Sequence, residues 1–334
     1  MEQRSLGRTH RNVSVIGLGT WQLGGDWGDV AEDDALAVLD AAAEAGITFF
    51  DTADVYGDGR SETIIGSWLR AHPDAGVTVA TKMGRRDAQD PANFTLDRFR
   101  EWTDRSRRNL GVDTLDLVQL HCPPTPVFSS DRVYDALDEL VADGAIASYG
   151  VSVETTDEAL LAIARPGVAS VQIILNAFRL KPLDRVLPAA VEAGVGIIAR
   201  VPLASGLLSG RYTADTTFAE TDHRNFNRGG AAFDVGETFS GVDYDDGVAA
   251  AREFAAAAHE AAHEAAPDLT PAQVALAWIV QREGVSTVIP GARNAEQAQA
   301  NARAGDAPAL GEVFERQVAD IYDRYFRAAV HPRW

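Results

Sequence analysis

Short apolar runs of four to seven residues alternate along this chain with longer segments whose apolar positions recur every three or four residues. The runs Val13–Gly17, Thr48–Asp51, Val77–Lys82, Leu115–His121, Ala147–Val151, Val171–Leu175, Gly196–Arg200 and Thr287–Pro290 read as strands. Between them, Asp33–Ala45, Ser61–Leu69, Leu96–Leu110, Asp131–Asp143, Thr156–Ala164, Leu183–Glu192 and Thr270–Gln281 read as helices, and Asn294–Ala304 follows the last strand. Near-continuous apolar strands separated by helices imply a parallel sheet with covered faces. Eight such units predict an α/β fold, a (β/α)8 TIM barrel. No linker or composition break divides them, so residues 1–334 are expected to form one domain.

Punctuation supports the helix boundaries. Ala45-Gly46 and Ala193-Gly194 place glycine just past a helix end, where positive φ is wanted. Thr270-Pro271 reads as an N-cap followed by proline at the first helical position. Ahead of the first barrel strand, Gln3–Arg11 holds a turn centred on Gly7, expected to be a hairpin closing the barrel bottom. One interval breaks the rhythm: Arg211–Asp246 is polar, glycine-rich and aperiodic, and the alanine-rich helix Gly247–Ala266 follows. A loop of that length is a functional lid or a passive insertion. Its place after the seventh strand, above the catalytic rim of a barrel, favours the lid.

Composition narrows the class. Of 334 residues, 46% are hydrophobic, ample for a buried core. No stretch is apolar enough to span a membrane, and Met1–Arg4 lacks an apolar signal core, so a cytoplasmic protein is expected. The single cysteine, Cys122, excludes an internal disulfide and a cysteine zinc cage, and it reads as an inert buried thiol. Net charge is −19, from 49 acidic and 30 basic residues, which repels nucleic acid phosphate. Acid excess spread along the chain, with little lysine, suggests a protein suited to high salt. A monomer or weak oligomer is expected.

Candidate chemistry lies at the strand ends. Lys82 is one of only two lysines, with Lys181, against 28 arginines. A position that keeps lysine in so arginine-biased a chain needs a compact amine that tunes a neighbour. Asp51 and Tyr56 follow the second apolar run and His121 ends the fourth, so ionisable groups cluster where barrel enzymes carry their active sites. Taken singly, each has a duller reading: a helix cap, rim packing or a salt bridge. Together they are machinery for protonating an oxygen that gains negative charge. The ammonium acidifies the phenol, the carboxylate holds the ammonium, and histidine orients the substrate. No metal site is expected, since His259 and His263 fall on an alanine-rich surface helix.

These residues sit in motifs. Asn12–Gly19, Phe49-Phe50-Asp51-Thr52-Ala53-Asp54-Val55-Tyr56-Gly57, Ala80-Thr81-Lys82, Leu115–His121, Gly150-Val151-Ser152, Pro202–Gly210 and Ile289–Arg293 together resemble the aldo-keto reductase family. The resemblance runs in order from about Arg4 to Asn301. It implies a (β/α)8 barrel holding an extended nicotinamide cofactor, with Tyr56 as general acid, Lys82 and Asp51 tuning it, and His121 orienting the carbonyl. The Rossmann fingerprint fails, because Gln22 stands where Gly17-Leu18-Gly19 would need its third glycine.

By position, the resemblance assigns Gly19, Thr20, Trp21 and Asp51 to the cofactor, with Ser152 and Gln172 on the nicotinamide carboxamide. Pro202, Leu203, Ser205, Gly206, Leu208 and Gly210 would wrap the pyrophosphate. Gly291 would also contact the cofactor, Arg293 would meet the 2′-phosphate of NADP, and Gln297 and Asn301 would reach adenine. NADPH is therefore expected to be preferred, with NAD possible. For Gly206 and Gly210 the alternative is simple turn-making, and for Arg293 a solvated surface charge. Two departures stand out. Val153 replaces a common asparagine, a loss that Asn176 could make good, and Arg200 replaces an aromatic expected to stack on the nicotinamide. Trp21 and Trp27, with Tyr56 and His121, would line the substrate pocket, and Arg333-Trp334 either covers it or hangs free.

The implied activity is reduction of aldehydes or ketones with NADPH. Two alternatives remain: an NAD(P)-dependent sugar or alcohol dehydrogenase running oxidatively, and a nicotinamide-binding regulatory subunit with little turnover.

Overall fold

A computed structural model describes residues 1–24, 30–220, 222–232, 236–265 and 268–334. A hairpin of β1 (Gln3–Ser5) and β2 (Asn12–Ser14) comes first, paired antiparallel. Eight strands follow: β3 (Leu18–Gly19), β4 (Phe49–Asp51), β5 (Thr78–Met83), β6 (Leu117–His121), β7 (Tyr149–Ser152), β8 (Val168–Ile174), β9 (Gly196–Arg200) and β10 (Val285–Val288). Each pairs in parallel with its neighbour in chain order. Parallel bridges Ile16–Val288 and Gly19–Gly291 bring the last strand back to the first, so the sheet closes into a (β/α)8 barrel.

Helices α1 (Glu32–Glu44), α2 (Arg60–Ala71), α3 (Leu96–Leu110), α4 (Asp131–Ala142), α5 (Thr156–Ile163) and α6 (Pro182–Ala193) lie between successive strands. The long connection after β9 carries the short α7 (His223–Phe226), then α8 (Tyr244–Ala265) and α9 (Pro271–Val280). After β10 come α10 (Ala295–Ala302), α11 (Gly311–Tyr325) and α12 (Arg327–Val330). Reciprocal capping boxes start two of them, Thr155 with Glu158 on α5 and Thr270 with Gln273 on α9. Gly46 and Gly194 take φ of 85° and 66° past α1 and α6, as helix C-termini require.

The first strand departs from the sequence pattern. Val13–Gly17 is not one barrel strand. Val13 and Ser14 belong to the hairpin, which extends past Arg11, and the barrel strand begins at Leu18. Val13 is apolar because it plugs the barrel floor: Leu6, Val13, Phe49, Ala80, Leu117, Ile198 and Ile289 form a core cluster of their own. Gly7 makes the plug fit. A Cβ there would lie 2.1 Å from the Ala169 carbonyl oxygen and 2.2 Å from the Gly196 nitrogen.

Strand side chains alternate faces, so the residue two places beyond each floor residue also points inward. Phe49 is followed by Asp51, Ala80 by Lys82, Leu117 by Gln119 and then His121, and Ile198 by Arg200. An apolar floor thus carries a polar layer directly above it. The helices α11 and α12, outside the sequence pattern, close one side: Phe314 meets Phe254 of α8 at 5.7 Å, and Phe326 packs on Phe178 at 4.4 Å. No helix among the described residues is long and apolar enough to cross a membrane.

Leu6→Ala removes buried volume from the floor without touching the polar layer. It is expected to lower unfolding free energy by about 2–5 kcal/mol in denaturant titration.

Candidate active site

Asp51 ends β4, and its register partner is Ala80 of β5, two residues before Lys82. That offset sets the Lys82 ammonium beside the Asp51 carboxylate in a space where Lys82 is 1% exposed. Lys82 Nζ donates to Asp51 Oδ1, to the Thr52 carbonyl oxygen at 3.0 Å and to the Tyr56 hydroxyl at 3.2 Å. An ammonium has three N–H groups, and all three are used. The Tyr56 ring also lies under the ammonium, 4.9 Å from its centroid. His121 faces the same ring edge-on, centroids 6.0 Å apart at 84°. Trp21 stacks on Tyr56 at 6.1 Å and meets His223 of the long loop at 5.1 Å. Trp27 lies outside the described residues.

The second carboxylate oxygen is held as firmly. Asp51 Oδ2 accepts from Gln119 Nε2 at 3.0 Å and from Gln172 Nε2 at 2.8 Å. The Asp51 carbonyl accepts from Thr20 Oγ1 at 2.9 Å, so Thr20 fixes the strand end through its side chain.

Electrostatics correct one expectation. Burial raises the Tyr56 hydroxyl above its ordinary 10; Lys82 pulls it down, while Asp51 and Glu237 push it up. The net direction is upward, so the ammonium tempers the phenol without making it acidic. Burial also pushes His121 well below its ordinary 6.5, and Arg85, Lys82 and Arg200 push the same way. His121 is therefore a neutral imidazole, and its buried Nδ1 has no partner among the described residues. Burial raises Cys122 to about 12, in keeping with an inert thiol.

Around this centre runs a chain of charges. Arg200 pairs with Glu237 on the long loop and with Glu154 at 3.3 Å, and donates to the Val153 carbonyl at 3.1 Å. Arg85 donates to the same Glu154 at 3.1 Å and to the His121 carbonyl at 3.2 Å. Ser205 Oγ donates to the Glu237 carbonyl at 3.0 Å and accepts from the Phe239 nitrogen at 3.1 Å. The long loop thus lies on the rim, fastened through Glu237 and His223. Trp334 is buried too, with the Arg179 guanidinium 3.8 Å from its ring and Gly241 of the long loop against its edge.

Several cofactor assignments meet a different local geometry. Asn176, offered for the missing asparagine, has its Nδ2 donating to the Val201 carbonyl and its Oδ1 accepting from the Phe178 nitrogen, both at 2.9 Å. Val153 itself packs in the apolar core. Arg200 is engaged by two carboxylates. Gln297 Oε1 accepts from the Arg293 nitrogen at 2.8 Å, and Asn301 Nδ2 donates to the Gly291 carbonyl at 3.2 Å. These two side chains shape the loop before α10. In that loop Arg293 is exposed, and no described residue forms an ion pair with it. Gly19 cannot carry a Cβ, which would fall 2.9 Å from the Ile289 carbonyl oxygen. In the Pro202–Gly210 segment Ser205, Gly206 and Gly210 take φ of 55°, 98° and 70°, while Leu208 is buried and Leu203 partly so. Ser152 Oγ accepts from Cys122 Sγ at 3.4 Å. Among the described residues no group of three His, Cys, Asp or Glu is set to hold a metal ion.

A model of the aldo/keto reductase family matches residues 15–321, nearly the whole barrel. The chain belongs to that family. It is 34% identical over 324 residues to the aldo-keto reductase str7 of Strobilurus tenacellus, covering 92% of this chain and 88% of that one. To the Schizosaccharomyces pombe aldo-keto reductase yakc, whose name carries NADP(+), it is 28% identical over 86% of this chain and 83% of that one. In three dimensions it is similar to the glycerol dehydrogenase AKR11B4 of Gluconobacter oxydans, with a TM-score of 0.77 and 28% identity. That match covers 97% of this chain and 95% of the other. This aldo-keto reductase is accordingly an NAD(P)H-dependent oxidoreductase.

Sequence reasoning missed Gln119, Arg85, Glu154, Glu237 and His223. Only Gln119 had a signal, standing two places before His121 and so on the same strand face. The pKa directions give a test. A neutral His121 contributes no titration between pH 6 and 8, and a phenol raised above 10 stays protonated across that range. The pH profile of kcat/KM for carbonyl reduction should be flat there and fall only above pH 10. A step near 6.5 would assign His121 a charge it does not have here.

Proposed function

We propose that this enzyme reduces aldehydes or ketones with NADPH, hydride adding to the carbonyl carbon while Tyr56 gives its proton to the oxygen. The observation that carries this reading is the Lys82 ammonium with its three N–H groups spent on Asp51, Thr52 and Tyr56. A buried ion pair is costly, and packing alone would be served as well by apolar residues. Pointing the third donor at a phenol gives the charge a use: the phenolate left after proton transfer accepts a charge-assisted hydrogen bond.

The raised Tyr56 suits a donor. It holds its proton at neutral pH until charge develops on the carbonyl oxygen. His121, neutral and edge-on to Tyr56, would donate to the same carbonyl oxygen and hold it within reach of the hydroxyl. Trp21 excludes water from one side of that contact.

The residues present fit a nicotinamide dinucleotide, whose reduced ring supplies the hydride that no side chain can. Gln172 Oε1 accepts no hydrogen bond from any described residue, which leaves it for a carboxamide N–H. The positive-φ backbone at Ser205, Gly206 and Gly210 suits close approach of a pyrophosphate. Arg293, just ahead of α10, would meet a 2′-phosphate at a helix N-terminus. The name of yakc agrees with that preference.

Two variants test the assignments. Tyr56→Phe should lower kcat roughly 10²–10⁴-fold while NADPH binding, read by fluorescence, persists; wild-type turnover would remove Tyr56 as proton donor. Arg293→Ala should weaken NADPH about tenfold or more and leave NADH unchanged, since only the former carries the charge-assisted contact. An unchanged ratio would end the phosphate assignment.

A further inference from the structure

Gln119 is fully buried, 0% exposed, in the polar layer above the barrel floor. A buried amide needs an account of its hydrogen bonds. An ionised carboxylate only accepts, so the Gln119 and Gln172 amides facing Asp51 must both present N–H to it. Gln172 Nε2 gives one hydrogen to Asp51 at 2.8 Å and lies 3.2 Å from Gln119 Oε1, which takes the other. Gln119 Nε2 completes the triangle on Asp51 Oδ2 at 3.0 Å.

This triangle leaves Gln172 no choice of orientation. Both its N–H groups are committed, and its oxygen is the end left to be offered elsewhere. Gln119 also donates to Asp51, the group that works against Lys82 at the Tyr56 hydroxyl.

We propose that Gln119 is a positioning residue that ties cofactor recognition to the proton chemistry of Tyr56, fixing the Gln172 amide with its oxygen and the Asp51 carboxylate with its nitrogen. It touches neither substrate nor cofactor. The inference rests on the reductase reading of the same site. Removing the amide has two separable effects. Gln172 keeps its bond to Asp51 but loses its second anchor, which loosens the amide whose oxygen faces the carboxamide and weakens cofactor binding. Asp51, with one donor fewer, bears more strongly on Tyr56, which moves the phenol further up.

The experiment compares wild type with Gln119→Leu, similar in size but without donor or acceptor. Melting temperature, NADPH dissociation constant by fluorescence, and the pH profile of alcohol oxidation would be measured. The expected result is a folded variant whose NADPH affinity falls roughly tenfold, the worth of one hydrogen bond to a charged or buried partner. Oxidation needs the phenolate, so its rising limb should move to higher pH by about half to one unit. A folded variant with both quantities unchanged overturns the proposal, and a fall in melting temperature alone does the same by making Gln119 merely structural. If Gln119→Leu does not fold, Gln119→Glu carries the test. Protonated, it donates to Asp51 and accepts from Gln172, so its NADPH affinity should match wild type at acid pH and weaken as pH rises. Affinity without that pH dependence overturns the proposal. Wild-type protein that binds no NADPH would instead sink the reductase reading, leaving the two failures distinct.

Discussion

A single buried ammonium organises everything above the floor. Lys82 is shielded from bulk solvent, so its three hydrogens must each find an acceptor, and the surrounding chain is arranged to supply them. The carboxylate comes from the neighbouring strand, the carbonyl from the residue after it, and the phenol from the turn beyond. Asp51, so used, has its own remaining oxygen to satisfy, which brings in two glutamines. Arginine would not serve in place of Lys82, because a planar fork cannot direct donors to three acceptors set around one point.

That demand explains the layering of the barrel. The hairpin plug makes the lower interior apolar and leaves the upper interior for polar groups, and the two-residue strand period moves from one to the other in a single step. The same geometry puts the reactive layer at the carboxyl ends of the strands. There the loops and the mouth of the barrel meet.

Much of this was legible along the chain. Strand ends are marked locally, by an apolar run that stops at an ionisable residue, and Asp51, Lys82 and His121 each carry that mark. Tyr56 followed from its distance to Asp51 and from the family motif. The first strand was not legible, since Val13 and Ile16 form one apolar run while serving the floor plug and the barrel wall respectively. The partners of Arg200 were hidden for another reason. Glu237 sits 37 residues away in an aperiodic loop, and nothing local announces an ion pair across that separation. Gln297 and Asn301 stand four apart on α10, and their side chains hold the adjoining loop, a local competition that spacing cannot reveal.

The scarcity of lysine has a consequence away from the reaction. With Lys82 sealed inside, the other lysine, Lys181, sits partly exposed at the start of α6 and is the one lysine side chain that surface reagents meet. Acylation, sugar adducts or attachment to a support through lysine would all converge on that one spot. Coupling there would hold every molecule in the same attitude, by the connection between β8 and α6.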